Sequence, residues 1–554
     1  MRFLTILFCS LLLSANVLAQ VDSVIVSGRV RNLSARLYRD APTVLVGRNN
    51  ILQASRELIK PAPLNVDGTF RVSIPLIYSQ EELYFTYGRI STAFLAAPGA
   101  LTIDLNADSL FTARVPFRFG GVNAQVNQQY ARYKAFEAGY ADKPNVKKLS
   151  EDISGPVSNT SFVLLNQAFQ KPFRAFAAQE KPFPLLARWV EADNRYAAAS
   201  FLYDRLIVGE DERQPPALSD SVGLTNDLIL TASRTQAMNR FATFANRQIV
   251  SKASQQAQRG LAVDKLSGLL LRYGTNLTDA EKARLQQFAE TNSARNADLR
   301  FLTDLVRRNN EMIQSLVNYE FLIQESRKQY DDERREYMTA FWLVNSFPIL
   351  TLAQDKLLYD YARPQLTNRR LGQSLDELYA LETRDSVAMK QAVQTLVASK
   401  DVATELEVSP GVFVTRDKFG TANGSDLFDK VINANRGKVI YVLLTSNESE
   451  AGRQAALDAQ RLRSTYDARD FAVVYLPMLT SDEQSVWVEA AARNKLIGDH
   501  LLLTSGQLDG LSGRLRANDL PSATIINRTG KVIKRNAPLP ADFDEAKKAV
   551  DKGL

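Results

Sequence analysis

The sequence predicts a multidomain chain: an N-terminal β-sandwich, a central α-helical domain and a C-terminal α/β domain. Three observations carry this. Up to about residue 121 the apolar residues recur with period two; from 122 to about 400 they recur with a helical period; and from Gly437 to Val532 long apolar runs alternate with helical patterns. The predicted boundaries are 1–19 for a leader, 20–121, 122–400 and 401–554.

Residues 1–19 read as a secretory signal peptide. Arg2 supplies the charged start, Leu4–Leu13 the apolar core, and Val17-Leu18-Ala19 a small-residue cleavage site. The apolar run is too short to span a bilayer. Cys9, the only cysteine, follows Leu7-Phe8 rather than a small residue, which argues against a lipid anchor. No second apolar stretch reaches membrane length, so no transmembrane segment is expected, and the product is placed in the periplasm or cell envelope.

The period-two region reads as short strands. Val24–Val30, Thr43–Val46 and Thr69–Leu76 come first, the last alternating Phe70, Val72, Ile74 and Leu76 on one face. Asn65-Val66-Asp67-Gly68 is a turn signal. Leu83–Tyr87, Phe94–Leu95 and, after Pro98-Gly99, Leu101–Leu105 complete the set.

In the helical region, Leu302, Leu305, Val306, Ile313, Leu316 and Ile323 fall on one face of a single long helix, as do Met238, Phe241, Ala245 and Ile249 on another. Thr278-Asp279-Ala280-Glu281 is a capping box. The run Asp331–Glu336 offers paired carboxylates, or a solvated helix face with mixed-sign pairs. Phe117, Phe119, Tyr130, Tyr133 and Phe136 offer a stacking platform, or packing at a domain seam.

In the last region, Val439–Leu444 is an apolar run suited to a strand buried on both faces. A polar turn through Ser449 and Gly452 then feeds a helical pattern containing Leu457 and Leu462. Phe471–Leu476 is a second buried strand and Thr524–Asn527 a third, giving a right-handed strand–helix–strand crossover in one sheet.

The segments Gly437–Leu444, Phe471–Met478 and Leu520–Ile533 resemble the thioredoxin-like domain of bacterial envelope proteins. They are closest to its membrane-associated thiol–disulfide oxidoreductase branch. In that resemblance Gly437-Lys438 matches the strand start, Arg453 the basic residue after a Cys-x-x-Cys pair, Pro521 a cis-proline, and Gly530-Lys531 a hairpin turn. The two cysteine positions fall on Ser449 and Gly452, and a buried carboxylate that assists proton transfer falls on Leu443. The order Asp67-Gly68-x-Phe70, Pro98-Gly99 with Leu101 and Ile103, then Phe119-Gly120-Gly121 likewise resembles a β-domain that precedes such domains in Gram-negative envelope proteins.

Disulfide exchange needs an attacking thiolate and a second sulfur to resolve the mixed disulfide. Beyond Cys9 the chain offers neither, so the domain is read as redox-inactive, with no catalytic residue and no cofactor. Cysteines restored at 449 and 452 would revive at most weak exchange. His500 is the only histidine, which leaves no ordinary zinc site, so no metal is expected. The formal net charge is +7, one less without Arg2 of the leader, and the excess is spread out, with no basic run interleaved with aromatics, so no nucleic-acid partner is expected.

Two function classes stay open. One is an envelope protein whose degenerate groove, Ser449, Gly452, Leu520 and Pro521, binds a protein or peptide through backbone hydrogen bonds. The other is an enzyme: a thiol–disulfide oxidoreductase, or a hydrolase using a Ser449–His500 pair. On the groove reading, a bulky side chain at 452 weakens partner binding and leaves the melting temperature nearly unchanged. Proline 521 also has a bland reading, as a residue that shapes the fold. The partner's identity, the role of the large helical region and the oligomeric state are not encoded in any motif.

Overall fold

The computed structural model describes residues 23–88, 90–110, 112–145, 148–149, 151, 153, 155–209, 214–220, 229–255, 261–293, 295–347, 350–398, 404–409, 411–417, 423–446, 449–467, 470–479, 483–515 and 519–554. The expected leader, 1–19, lies outside the described residues. Two compact units divide the chain. One holds residues up to Ser346 together with Ala353–Leu378, the other Phe347–Leu352 and Tyr379–Leu554.

The first unit begins with strands β1 (Ser23–Arg31), β2 (Thr43–Asn50), β3 (Gln53–Pro63), β4 (Thr69–Pro75), β5 (Gln80–Tyr87), β6 (Ile90–Ala96), β7 (Gly99–Asn106) and β8 (Phe117–Gly121), with a short helix α1 (Ala35–Asp40) after β1. One sheet runs β4-β1-β7-β8 and the other β3-β2-β5-β6. Their facing side chains, among them Val24, Val26 and Ile103 from one sheet and Val46, Leu83 and Phe85 from the other, form a single apolar core. That is a β-sandwich, made by the alternation that puts every second side chain on one face. Gly68 closes the turn before β4 at φ +81, a conformation that favours glycine.

Strand β3 escapes a pattern reading because it contains Pro61 and Pro63. It is the edge of its sheet, where a residue without an N–H is tolerated.

The helices that follow are α2 (Ala124–Ala138), α3 (Asn159–Gln179), α4 (Pro184–Val208), α5 (Pro216–Asp220), α6 (Ala232–Gln255), α7 (Val263–Tyr273), α8 (Asp279–Thr291), α9 (Asn296–Arg308), α10 (Asn310–Ser326), α11 (Asp332–Ser346), α12 (Leu352–Ala362) and α13 (Arg369–Ala398). A two-residue strand β9 (Ile229–Leu230) adds to β5. Thr278 and Glu281 do form the capping box of α8. The single helix expected across 302–323 is instead two, broken at Asn309. The Asn309 amide turns back to Leu305 O at 2.9 Å while its Oδ1 accepts from Thr275 N at 2.6 Å. A side chain that bonds backbone in this way competes with helix continuation.

The aromatic residues near residues 117–136 are packing residues. Phe117 lies in the sandwich core. Tyr130 stacks on buried Trp189 with centroids 3.9 Å apart, and Tyr133 and Phe136 pack against Phe176. In the charged run, Arg334 pairs with Asp331 and Arg335 with Asp332, three residues apart along α11. The mixed-sign helix face is what forms there.

The second unit is built on a seven-stranded sheet of β10 (Thr404–Ser409), β11 (Val412–Arg416), β12 (Val439–Ser446), β13 (Phe471–Met478), β14 (Gly498–Leu502), β15 (Ser522–Ile526) and β16 (Val532–Arg535), in the order β10-β11-β14-β13-β12-β15-β16. β11, β14, β13 and β12 are parallel; β15 runs antiparallel to β12. The three strands expected from the apolar runs therefore share one sheet.

Helices α14 (Gly424–Ala434), α15 (Glu450–Arg463), α16 (Glu483–Arg493), α17 (Ser505–Leu515) and α18 (Phe543–Asp551) cover both faces. Val439, Tyr441 and Leu443 of β12 face α15, α16 and α18; Ile440, Val442 and Leu444 face α14 and α17. A strand covered on both sides has no polar face to show, which is why its sequence is a continuous apolar run. Each such side chain contributes about 1.5–3 kcal/mol by leaving water.

Candidate functional site

β12 ends at Ser446, in the middle of the sheet, and α15 opens four residues later at Glu450. Ser449 caps that helix: its backbone is extended, at φ −91 and ψ 139, and its Oγ accepts from Gly452 N at 3.0 Å. The Thr445 hydroxyl donates to Gly452 O at 2.8 Å, tying the helix's first turn to the strand it follows. Met478 at the end of β13 stands opposite Ser446 in register, and Ser522 at the start of β15 stands opposite Leu444. Leu520 and Pro521, joined by a cis peptide bond, therefore lie beside the end of β12 on the side away from Met478.

Of the four residues the sequence marks, Ser449 and Leu520 are exposed and Pro521 is partly so, but Gly452 is buried. A Cβ placed on Gly452 would sit 2.1 Å from Ser446 O and 2.9 Å from Ser446 N. Backbone atoms cannot yield as the tip of a flexible side chain would. The expectation that a bulky group at 452 leaves the fold's stability unchanged is thus corrected: there is no room for even a methyl group. The same contact removes the route by which restored cysteines would revive exchange, since a side chain at 452 needs this corner to open first. Leu443 is fully buried among apolar residues, so no carboxylate stands in its place.

Beside the end of β12, β13 ends on a residue that was not among the expected site residues. Met478 is 51% exposed, and Leu520 on the other flank is 38% exposed. The apolar run reads as ending at Leu476; following the strand two residues further, through Pro477, would have placed a large apolar side chain at the same end.

His500 is in a different situation. It lies on β14 and is 1% exposed, its ring stacked on Tyr475 at 4.5 Å between centroids. Trp487 Nε1 donates to its Nδ1 at 3.2 Å, and its Nε2 donates to Leu496 O at 2.8 Å. Burial pushes its pKa down to about 4, the hydrogen bond to Leu496 working the other way. Both nitrogens are committed to core partners, and the Ser449 hydroxyl is committed to capping. The structure does not bring the two together, and the Ser449–His500 hydrolase is ruled out as a pair. Histidine 500 is a core residue.

Among the described residues no group of three His, Cys, Asp or Glu side chains is placed to hold a metal ion, and no helix is long and apolar enough to cross a membrane. The parallel central strands, the helix opening directly after β12 and the antiparallel β15–β16 hairpin give this part of the chain a thioredoxin-like fold.

No family model matches the sequence, and no curated protein does. Among solved structures the chain is similar to the thioredoxin domain of a thiol-disulfide oxidoreductase from Bacteroides vulgatus, at 15% identity over 22% of this chain and 81% of that one, with a TM-score of 0.19. It is similar to a thioredoxin family thiol:disulfide interchange protein from Chlorobium tepidum, at 19% identity over 21% of this chain and 83% of that one, TM-score 0.18. A thioredoxin-like protein from Bacteroides caccae is 10% identical over 53% of this chain and 94% of that one, TM-score 0.18.

Proposed function

We infer that this chain is an exported envelope protein whose thioredoxin-like domain performs no thiol–disulfide chemistry and instead binds an extended protein or peptide segment. The observation that carries the reading is the corner at the end of β12. It has no thiol, its helix start is closed over Gly452, and two exposed apolar side chains, Met478 and Leu520, flank it. A surface of this kind suits a partner held by apolar contact and backbone hydrogen bonds, neither of which needs a sulfur. Ser449, Leu520 and Pro521 belong to that surface; Gly452 shapes it from beneath. The β-domain over 20–121 and the helical domain over 122–400 are on this reading the scaffold of a multidomain protein, for which limited proteolysis at 122 and 401 is the check.

The test is a pair of surface variants, Leu520→Asp and Met478→Asp. Exposed substitutions of this kind leave stability within about 0.5 kcal/mol. Recovery of partners from a Gram-negative envelope fraction, measured against wild type by quantitative mass spectrometry, is expected to fall roughly tenfold or more if these side chains anchor the contact. Equal recovery by both variants would move binding elsewhere. The purified protein should begin at Gln20, and it should not reduce insulin disulfides; a start at Met1 or clear turnover would overturn export or redox inactivity respectively.

A further inference from the structure

At the other end of the same sheet, the amino ends of β11, β12, β13 and β14 surround a pocket of about 330 Å³. Its walls include Phe413, Asn435, Lys438, Arg463, Ile497 and Asp499. The sheet places them there. Phe413 and Asp499 are neighbours in register across β11 and β14, Lys438 precedes β12, and Arg463 is the last residue of α15.

The charges in this pocket are unequally satisfied. Asp499 accepts from the Asn435 amide at 2.7 Å, and Lys438 Nζ donates to Asn435 Oδ1 at 3.2 Å. Arg463 donates from Nη1 to Tyr466 O at 2.9 Å. Among the described residues neither Lys438 nor Arg463 forms an ion pair with a carboxylate. Arg463 is only partly exposed, and loss of water holds its pKa below the usual guanidinium value, with Asp467 and Tyr475 acting at longer range to raise it. A half-buried cation with no carboxylate in direct contact is costly to keep.

The geometry points to a binding site for a small organic monoanion, a carboxylate on an apolar body, held by Arg463 and Lys438 with its body against Phe413 and Ile497. The guanidinium fork matches a carboxylate in two parallel hydrogen bonds. Phe413, 37% exposed, supplies an apolar wall that water covers poorly. Asp499 sets the charge of the ligand. With two cations and one carboxylate in the pocket there is one positive charge in excess, which a monoanion neutralises, whereas a phosphate dianion would leave an uncompensated negative charge in a partly desolvated pocket. The site is separate from the corner at Ser449 and does not depend on what binds there.

The experiment uses the full chain and 4-fluorobenzoate, followed by broadening of its fluorine resonance, with affinities from benzoate competition. Saturable binding is expected, with benzamide and inorganic phosphate failing to compete. Removing the charge in Arg463→Met is expected to weaken binding roughly tenfold or more, since a charge-assisted pair is lost. Lys438→Met, at a partly exposed position before β12, provides a second variant that leaves the sheet's core untouched and is expected to weaken binding by a smaller factor. Absence of saturable binding, competition by benzamide or phosphate equal to that of benzoate, or wild-type affinity in both folded variants would overturn the assignment.

Discussion

The two units differ in how a central buried titratable group is held. In the first, charge is buried with charge. Arg48, 2% exposed, reaches Glu377 Oε1 at 2.5 Å and Glu81 Oε2 at 3.5 Å, and Asn50 donates to Glu377 Oε2 at 3.2 Å. Glu82 lies close by in the chain, accepting from Trp189 Nε1 at 2.9 Å and Tyr84 Oη at 2.7 Å. In the second unit the buried imidazole of His500 is neutral, held by Trp487 Nε1 and the Leu496 carbonyl, and the buried Asp417 accepts from the Gln507 amide at 3.0 Å. A buried ion network costs desolvation for every member and collapses when one member is removed; a neutral group held by carbonyls is cheaper to lose. The difference makes the two units separable by mutation and by pH.

The largest effect should come from cutting the ion network. Arg48→Met leaves Glu81, 1% exposed, without its cation, and is expected to cost the first unit about 3–5 kcal/mol. In the double variant Arg48→Met/Glu81→Met the loss should be well below the sum of the single ones, because no unpaired charge remains. Denaturant unfolding followed by transitions of the separate units measures this. Additive losses would mean that the network is not coupled.

Acid should act on the two units with opposite sign. His500 has a folded pKa of about 4 against about 6.5 in an unfolded chain. Between those values the unfolded state holds the proton and the folded state does not. The contribution is full above pH 6.5 and is lost as pH falls toward 4, amounting to about 3 kcal/mol at 1.36 kcal/mol per unit. Glu82 is pushed up to about 7, by burial first and by the Asp193 carboxylate second. Here the folded state holds the proton that the unfolded state has released, so this group stabilises its unit as pH falls from 7 toward 4.5. His500→Gln should flatten the acid loss in the second unit, read through Trp487 fluorescence, and Glu82→Gln should remove the acid gain in the first. Slopes unchanged by either substitution would refute the assignments.

A smaller effect tests the closed corner. An alanine in place of a glycine in a helix is ordinarily worth up to about 1 kcal/mol of added stability. At Gly452 the methyl group meets Ser446 O, so Gly452→Ala is expected to destabilise the second unit by about 1–3 kcal/mol instead. A rise in its melting temperature would show that the corner opens freely.

These contrasts also explain what could be read in the sequence. β12 and β13 were legible because a strand covered on both faces must be apolar throughout, and Ser449 was legible as a cap because the helical pattern begins at once after it. β14 was not, since its short run carries Asp499 and His500, and nothing local says that an imidazole will be buried neutral between Trp487 and Tyr475. Nor was the state of Gly452. Its missing side chain was visible, but the reason, contact with the backbone of Ser446, exists only once the helix has packed against its own strand. A glycine in the first turn of a helix, where alanine is cheaper, was the signal available. The pocket at the amino ends was hidden for the same reason, since Lys438 precedes a strand, Arg463 ends a helix and Asp499 lies on another strand, far apart in the sequence.

The smallest predicted effect bears on Ser449, the cap of α15. Its hydroxyl accepts from Gly452 N and does nothing else to the described residues. Removing that acceptor leaves an N–H at the helix start without a partner, so Ser449→Ala should cost about 0.5–2 kcal/mol. Ser449→Asp keeps an acceptor and adds a negative charge where the helix start favours one, so it should recover the loss and add about 0.3–1 kcal/mol at low salt. Ser449→Cys supplies a poor acceptor and, with Gly452 closed to side chains, a sulfur with no resolving partner; it should behave as alanine in stability and show no insulin reduction. The order aspartate, serine, then alanine and cysteine together is what a capping residue gives. If cysteine instead matched serine in stability, or gained turnover, the corner would still be poised for sulfur chemistry and the separation drawn between the two ends of the sheet would have to be redrawn.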